Sequence, residues 1–424
     1  MKKVDYAGIG ESVYFDKLDN GLGIFVVKKE GFAKKYAYFA TNYGGVDRRF
    51  KFGGQWIDTP MGVAHFLEHK MFDMPEGNAL NTLASNGASP NAYTSLDITA
   101  YHFESVDNFW ENLETLLKFV STPYFTKESV MKEQGIIGQE IGMVNDNPGT
   151  ELYYGLLRCL YKDHPIRDNI VGTVDSIAQI TEETLYACHK MFYNPKNMVL
   201  CVVGDVDPDM VYDMAKRIIT QPGEEITDRD YGSDEGLGPY EKRFRRKMQV
   251  ASPLFFLGGK IKMPKGGEDY LKTLIKGQIA AQVLAGASSP LYNNLYSKGL
   301  VMSDFSGEFE AVADTAYIVF GGEARDVSGA VEMIYAEAEK IAERGIHKDY
   351  YDRIIKSMIG AELRGLNRFD DICYNVARGY FRDYDAMRAS DIIRTISREE
   401  VESFIKDHVN ENYFALSVIE PQNG

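Results

Sequence analysis

The sequence predicts an α+β protein with two homologous domains, each an antiparallel-rich sheet packed with helices. Two observations lead to this prediction. A helix–turn–strand pattern closes each half of the chain, and an acidic segment with several Gly and Pro residues separates the halves, as is typical of a solvated linker. We therefore expect an N-terminal domain at 1–220, a linker at 221–240 and a homologous C-terminal domain at 241–424.

The repeated pattern is clearest at its helix starts. Thr181 and Ser397 each precede a run with helical spacing, and both residue types are good N-caps. Ser397 can also form a capping box with Glu400. An apolar strand is expected to follow each helix, over 198–203 and over 414–419.

The remaining elements are assigned from hydrophobic periodicity and from capping signals. Strands are expected over 23–30, 36–43 and 253–263, the first two as a hairpin-like pair. Helices are expected over 126–143, 271–284, 327–344 and 348–363. The basic run at 242–247 follows the acidic linker, and we interpret it as a solvated first strand of the second domain rather than a polyanion site.

Composition excludes several classes of function. The 424 residues include 47 basic and 62 acidic side chains, a net charge of −15, which repels nucleic acid and anionic membranes. No apolar run approaches the roughly 18–20 residues that a membrane span needs. No apolar signal region follows Lys2 and Lys3, so a cytoplasmic location is expected. The four cysteines are scattered without a C-x-x-C pair, and we expect buried free thiols.

Two of the seven histidines lie in a short run that can bind a metal ion, Met61-Gly-Val-Ala-His65-Phe-Leu-Glu68-His69. Positions i and i+4 of a helix share a face, so His65 and His69 can point at one ion. Glu68 emerges on the same side and can reach a metal-bound water without being a ligand. This H-x-x-E-H order is the inverted form of the H-E-x-x-H zinc signature. The alternative is a pair of surface histidines with an unrelated glutamate.

A downstream helix offers the third ligand that a catalytic zinc needs. Glu133 and Glu140 are nearly two helical turns apart, so their carboxylates share one face. Such a pair suits one metal ligand and one carboxylate that orients a ligand. The alternative is a solvated acidic stripe, which is common in a chain with 62 acidic residues.

The runs HFLEHKMF and EQGIIGQEI closely resemble the pitrilysin/insulysin family of zinc metallopeptidases, the inverzincins. Within it, the chain resembles the bacterial, processing-peptidase-like members with two domains. The resemblance implies one Zn²⁺ per chain, held in the N-terminal domain by His65, His69 and Glu140. It also implies that Glu68 is the general base on a zinc-bound water, and that Glu133 is a second catalytic carboxylate outside the ligand set.

The resemblance extends to Asn91-Ala92-Tyr93-Thr94, where family members have an Asn-Ala-x-Thr stretch on a strand edge that pairs with the bound peptide. These four residues are the candidates for substrate binding. Alternation from Tyr93 to Tyr101 predicts a strand, and an edge strand can bind an extended peptide through its N–H and C=O groups. The alternative is an ordinary half-buried strand.

For the second half the resemblance is one of architecture, and it implies two domains that form a clamshell around a chamber. Family members often carry an Arg and a Tyr in the second domain that grip the substrate. Here Tyr296 stands at the position of the Arg and Met302 at that of the Tyr. Some bacterial relatives divide the zinc motif and the Arg/Tyr pair between two chains. We therefore expect a heterodimer or a similar assembly whose homologous partner subunit supplies this pair. The alternative is a monomer or homodimer that grips peptides through other residues of the second domain.

The sequence thus predicts a zinc metalloendopeptidase that hydrolyses peptides or short unfolded segments. One alternative is a non-catalytic peptide-binding or assembly subunit with the same fold, whose usual mark in the family is loss of the H-x-x-E-H residues. Another is a metal-dependent amidase that acts on small molecules and does not need a peptide-binding edge.

Overall fold

The computed structural model describes residues 1–224 and 228–422, and it is an α+β fold with two compact units, as predicted. The first unit comprises Met1–Ile141, Asn169–Tyr231 and Arg364–Met387, and the second comprises Gly142–Asp168, Gly232–Leu363 and Arg388–Gly424. Each unit therefore includes a segment from the other half of the sequence. The predicted domains 1–220 and 241–424 are defined by the repeat in the sequence, whereas the two units are defined by spatial contacts. The predicted domain boundaries therefore stay a prediction.

The first unit contains a seven-stranded sheet and two smaller ones. Its strands are β1 (Lys2–Tyr6), β2 (Glu11–Lys17), β3 (Gly23–Lys28), β4 (Lys35–Thr41), β5 (Arg49–Phe52), β6 (Gln55–Asp58), β7 (Asp73–Met74), β8 (Gly77–Asn78), β9 (Ser89–Thr94), β10 (Thr99–Ser105), β11 (Met198–Gly204) and β12 (Asp228–Arg229). The large sheet has the order β1-β2-β3-β11-β4-β10-β9. The two smaller sheets are a three-stranded sheet with the order β12-β5-β6 and a two-stranded sheet of β7 and β8.

The second unit contains a five-stranded sheet. Its strands are β13 (Arg243–Met248), β14 (Leu254–Lys262), β15 (Ser306–Val312), β16 (Thr315–Glu323) and β17 (Phe414–Pro421). They are arranged in the order β13-β17-β14-β16-β15. β13 is largely exposed, which confirms the basic run as a solvated first strand.

Helices cover much of the rest of the described chain. They are α1 (Val63–Lys70), α2 (Ala79–Ser85), α3 (Phe109–Ser121), α4 (Lys127–Asn145), α5 (Pro148–Leu160), α6 (Val174–Ile177), α7 (Glu182–Phe192), α8 (Pro208–Ile218), α9 (Gly267–Ala285), α10 (Pro290–Ser297), α11 (Val327–Arg344), α12 (Lys348–Gly365), α13 (Phe369–Phe381), α14 (Ala389–Thr395) and α15 (Arg398–His408). The four helices predicted from periodicity are confirmed as α4, α9, α11 and α12.

The two large sheets share one topology. β11 is parallel to β3 and antiparallel to β4, and β17 is related in the same way to β13 and β14. The preceding helices α7 and α15 are capped by Thr181 and Ser397, and Ser397 forms the predicted capping box with Glu400. The helix–turn–strand repeat is therefore confirmed, and β9 and β15 occupy equivalent edges.

The position of β11 corrects one expectation. The strands β3 and β4 are predicted as a hairpin-like pair, but β11 lies between them and pairs with both. Every residue of β11 is buried, because a central strand has both faces covered and can therefore be continuously apolar. The hairpin-like pair is wrong because this apolar strand, from much later in the chain, takes the central position.

Helix α13, which belongs to the exchanged segment 364–387, packs on the large sheet of the first unit. Its residues Cys373, Val376 and Ala377 are buried in one cluster with Tyr38 and Ala100 of the strands. A helix from the other half of the sequence therefore packs on the sheet that supports the candidate site.

The cysteines are buried and free, as predicted. Burial raises the pKa of Cys159 to about 11 and that of Cys188 to about 12, so these thiols stay protonated. In the part of the chain that the structure describes, no helix is long and apolar enough to cross a bilayer. The cytoplasmic location stays a prediction.

Part of the predicted linker is fixed to the first unit. Residues 225–227 lie outside the described residues, but β12 pairs with β5. Arg229 donates to Asp47 Oδ1 at 2.6 Å and to the carbonyl oxygen of Asn42 at 2.6 Å, and the Tyr231 hydroxyl donates to the same Asp47 oxygen at 3.0 Å. Asp47 is fully buried. The composition of the segment does not reveal this attachment, because the acceptor lies far away in the sequence.

Arg229→Met is expected to lower the free energy of unfolding by about 3–5 kcal/mol, because it leaves a buried carboxylate without its cation. Urea unfolding followed by circular dichroism measures the change. Asp228→Asn is the matched control, since its ion pair with Lys51 has side chains that are 55% and 36% exposed, and exposed pairs contribute about 0–1 kcal/mol. Equally small losses in both variants would contradict an anchoring role for Arg229.

Candidate metal centre

Helix α1 carries the H-x-x-E-H run, and its entry is tightly constrained. Gly62 precedes it with a φ of 92°, and a Cβ atom there would lie 2.8 Å from the carbonyl oxygen of Val171. Glycine is therefore needed at this position. Phe66 and Leu67 are fully buried and fix the helix in the core. The opposite side of the helix presents the predicted site residues.

The two histidines of α1 and one glutamate of α4 form a compact group. Glu140 Oε1 lies 3.5 Å from His65 Nε2, and Glu140 Oε2 lies 3.7 Å from His69 Nε2. One ligand atom from each residue lies within 4.8 Å of the other two. Ligands of a tetrahedral zinc at about 2.0–2.1 Å are separated by about 3.3 Å, so this set of donors fits one zinc ion. Among the described residues, no other His, Cys, Asp and Glu cluster has this spacing.

Glu133 lies on the far side of His69 from this group. Its Oε1 is 3.0 Å from His69 Nδ1, and its Oε2 is 3.7 Å from the ammonium of Lys70. Lys70 is buried and also pairs with Asp73. A carboxylate on Nδ1 fixes the ring orientation and leaves Nε2 available as a ligand atom. The structure therefore places Glu140 in the ligand group and Glu133 behind one of its histidines.

The charged groups of the site shift one another's pKa values. The hydrogen bond with His65 lowers the pKa of Glu140, and the hydrogen bond with His69 lowers the pKa of Glu133. Burial lowers the pKa of His69, but the hydrogen bond to Glu133 and the nearby carboxylates outweigh burial, so the net pKa is raised. Both carboxylates of α4 are therefore ionised at neutral pH, which is the form that binds a cation.

Glu68 has a different environment from these two carboxylates. It is 8% exposed, and burial raises its pKa above the ordinary value for a glutamate. Its Oε2 accepts a hydrogen bond from the Thr94 hydroxyl at 3.2 Å. A buried carboxylate that stands beside a metal-ligand group without belonging to it is suited to accept a proton.

The predicted strand from Tyr93 to Tyr101 is instead a hairpin, in which β9 and β10 are joined by the turn 95–98. The Ser95 hydroxyl donates to the carbonyl oxygen of Ile98 at 3.0 Å and accepts from its N–H at 3.0 Å. One continuous strand is wrong because this side chain bonds the backbone and closes a turn, a common role of Ser.

β9 lies at the edge of the seven-stranded sheet, and in the described residues it pairs with β10 alone. It carries the four predicted substrate-binding residues, Asn91, Ala92, Tyr93 and Thr94. The Tyr93 hydroxyl lies 2.5 Å from that of the buried Tyr38, which holds the strand against the sheet. The open edge leaves backbone groups available to an extended peptide.

Two further contacts at the site are absent from the sequence prediction. Arg382, which follows α13, donates to Asp97 Oδ2 at 2.7 Å and anchors the turn between β9 and β10. Lys70 stands next to the predicted motif, but its role depends on the folded positions of Glu133 and Asp73. The pairs Arg382–Asp97 and Lys70–Glu133 have no local sequence signal, because each joins residues that are far apart in the chain.

In the second unit, Tyr296 and Met302 stand at the two positions where the resemblance implies an Arg and a Tyr. Tyr296 on α10 is 54% exposed and stacks on Tyr292 with ring centroids 5.9 Å apart. Met302 follows α10, and its backbone N–H donates to the carbonyl oxygen of Glu323 at 2.9 Å. Neither Tyr296 nor Met302 offers the positive charge of an Arg.

Two sequence models of one family match most of the chain. Residues 54–174 match the model described as "Insulinase (Peptidase family M16)", and residues 179–358 match "Peptidase M16 inactive domain". All residues of the candidate metal centre lie within the first match. The chain therefore belongs to the M16 family of zinc peptidases, as its motifs predict.

Individual proteins and crystal structures are also similar to the chain over nearly its whole length. The Bacillus subtilis protein named "Uncharacterized zinc protease YmfH" is 36% identical over 441 aligned residues, which cover 100% of both chains. The crystal structure of an M16-like peptidase from Alicyclobacillus acidocaldarius is 32% identical, with a TM-score of 0.93 over 99% of this chain and 100% of that chain. A Helicobacter pylori protease at 19% identity shares the fold, with a TM-score of 0.83 over 96% and 99% of the two chains.

Proposed function

We propose that the chain is a zinc-dependent endopeptidase that hydrolyses peptides or short unfolded segments. The observation that carries the proposal is the ligand group of His65, His69 and Glu140, whose ligand atoms lie within 4.8 Å of one another beside Glu68. The edge strand β9 contacts the same glutamate through Thr94. Relatives named zinc proteases support this class of activity.

The residues of the site divide the chemistry between them. When bound, zinc polarises a scissile carbonyl and lowers the pKa of a coordinated water. Glu68 accepts the proton that the attacking water loses and later donates it to the leaving amine. Glu133 keeps the ring of His69 in a fixed orientation through its 3.0 Å contact with Nδ1.

The open edge of β9 favours a peptide over a small amide as substrate. Strand addition uses the main chain of the ligand, so it fixes the register of an extended peptide whatever its side chains are. Asn91 and Ala92 lie on this edge, three and two residues, respectively, before the Thr94 contact with the base. A substrate held there lies next to Glu68, which reaches the same strand through Thr94.

The test combines metal analysis with digestion of peptides of about 10–30 residues, followed by mass spectrometry. We expect one zinc per chain and cleavage of the peptides at internal bonds. A chelator is expected to abolish this cleavage, and added zinc is expected to restore it. A chain that binds zinc but cleaves no peptide, alone or with a homologous partner, is a binding or assembly subunit. Cleavage of small amides but not of peptides would favour the amidase.

We also propose that the chain is the metal-bearing subunit of a heterodimer. Tyr296 can offer one hydroxyl donor and Met302 offers none, whereas Arg presents a fixed fork of donors. A substrate must be held accurately against the site, since misplacement by about 1 Å can lower the rate by about 10²-fold. A homologous chain with the Arg/Tyr pair and without H-x-x-E-H would supply the missing contacts.

The chain purified alone is therefore expected to bind zinc but to turn over peptides slowly, and the partner subunit is expected to raise kcat by on the order of 10-fold or more. Size-exclusion chromatography with light scattering measures the complex, and peptide assays with and without the partner measure the gain. The Arg-to-Ala variant of the partner is the control. Full activity of the chain alone, indifferent to any partner, would contradict the divided site.

A further inference from the structure

We propose that Thr94 is a positioning residue for Glu68, so that the strand which registers the peptide also holds the general base. The inference rests on the proposed function for the role of Glu68, and it assigns to Thr94 a task other than substrate contact. Its side chain faces the base, while its backbone belongs to the edge strand.

The contact is specific to one carboxylate oxygen. The Thr94 Oγ1 atom lies 3.2 Å from Glu68 Oε2 and donates a hydrogen bond to it. This is the one side-chain hydrogen bond to the Glu68 carboxylate that the structure shows among the described residues. A glutamate has three side-chain torsions, so a buried carboxylate with one hydrogen bond depends on that bond for its position. Glu68 is 8% exposed, which leaves little solvent to replace the donor.

The hydroxyl proton of Thr94 is available for this contact. The Thr99 hydroxyl lies 3.4 Å from that of Thr94, but it donates to the carbonyl oxygen of Tyr43 at the shorter distance of 2.9 Å. An ionised carboxylate can only accept, so Thr94 donates to Glu68. When Glu68 carries the transferred proton, the same hydroxyl oxygen can accept from it. A hydroxyl therefore serves the base before and after proton transfer.

The backbone holds Thr94 firmly in place. It is the last residue of β9, paired with Thr99 of β10, and the turn that starts at Ser95 closes directly after it. Its β-branched side chain has restricted χ1 freedom. A peptide that pairs with β9 takes its register from the same backbone. The strand β9 therefore positions both the substrate and the general base. This is the arrangement that limits misplacement between the scissile bond and the base.

Thr94→Val keeps the shape of the side chain but removes the hydroxyl. We expect its kcat to fall by on the order of 10- to 10²-fold, with KM within about twofold of wild type, because β9 still binds the peptide. Thr94→Ser keeps the hydroxyl and is expected to stay within about threefold of the wild-type kcat. Thr115→Val is the matched control, since among the described residues the Thr115 hydroxyl donates to the carbonyl oxygen of Glu111 in its own helix.

Crystal structures of the zinc-loaded wild type, Thr94→Val and Thr94→Ser give a readout besides activity. The Glu68 carboxylate is expected to shift or to occupy several positions in Thr94→Val, and to keep the wild-type position in Thr94→Ser. An unchanged Glu68 in Thr94→Val, or a wild-type kcat for that variant, overturns the inference. If wild type cleaves no peptide, alone or with a homologous partner, the proposed function fails. The position of Glu68 in the two variants then still decides whether Thr94 holds it.

Discussion

Glu68→Gln is expected to keep its zinc and to lose on the order of 10²-fold or more in kcat. Glu68 is not a member of the ligand group, so metal content should not change. A glutamine has nearly the same volume, and its amide oxygen can still accept the hydrogen bond from Thr94. The substitution thus preserves the position of the side chain and removes its capacity to carry a proton.

The measurement is peptide turnover by variant and wild type at equal zinc content, determined by atomic spectrometry on the assayed samples. Glu76→Gln is the matched control, because it makes the same change of charge at an exposed position shortly after α1. We expect the control to retain the wild-type rate. Wild-type turnover by Glu68→Gln would contradict the role of Glu68 as general base.

The site residues on single helices could be predicted because their signals are local. His65, Glu68 and His69 share a helix face by spacing alone, and Glu133 and Glu140 do so on α4. Spacing does not say which of the latter two faces the metal, since both carboxylates lie on one side. The resemblance to the family implies Glu140 as ligand, and the folded distances place it between the two Nε2 atoms.

Features that join distant parts of the chain could not be predicted in this way. The central position of β11 between β3 and β4, and the exchange of the segments 142–168 and 364–387, depend on which apolar surfaces meet in the folded state. The ion pair between Arg382 and Asp97 follows from that exchange. The turn at Ser95 cannot be recognised for another reason, because a strand-like alternation continues through it in the sequence.

Glu140→Gln is expected to weaken zinc binding more than Glu133→Gln does. Loss of an outer carboxylate behind a histidine ligand typically raises the metal Kd by about 10- to 100-fold, and we expect loss of the direct ligand to exceed about 10²-fold. Competition with a chromogenic chelator measures both Kd values. Glu128→Gln is the control, as an exposed glutamate in the first turn of the same helix.

The order of the two effects separates ligation from simple electrostatics. Both substitutions remove one negative charge from α4 near His69, so an effect of net charge alone would make the two Kd values similar. Glu133 contacts His69 Nδ1 at 3.0 Å, and a glutamine oxygen can still accept that hydrogen bond. Glu140 faces the Nε2 atoms of both His65 and His69, where a neutral amide is a poor replacement for an anionic ligand. Weaker zinc binding by Glu133→Gln than by Glu140→Gln would therefore reverse the assignment of ligand and orienting carboxylate.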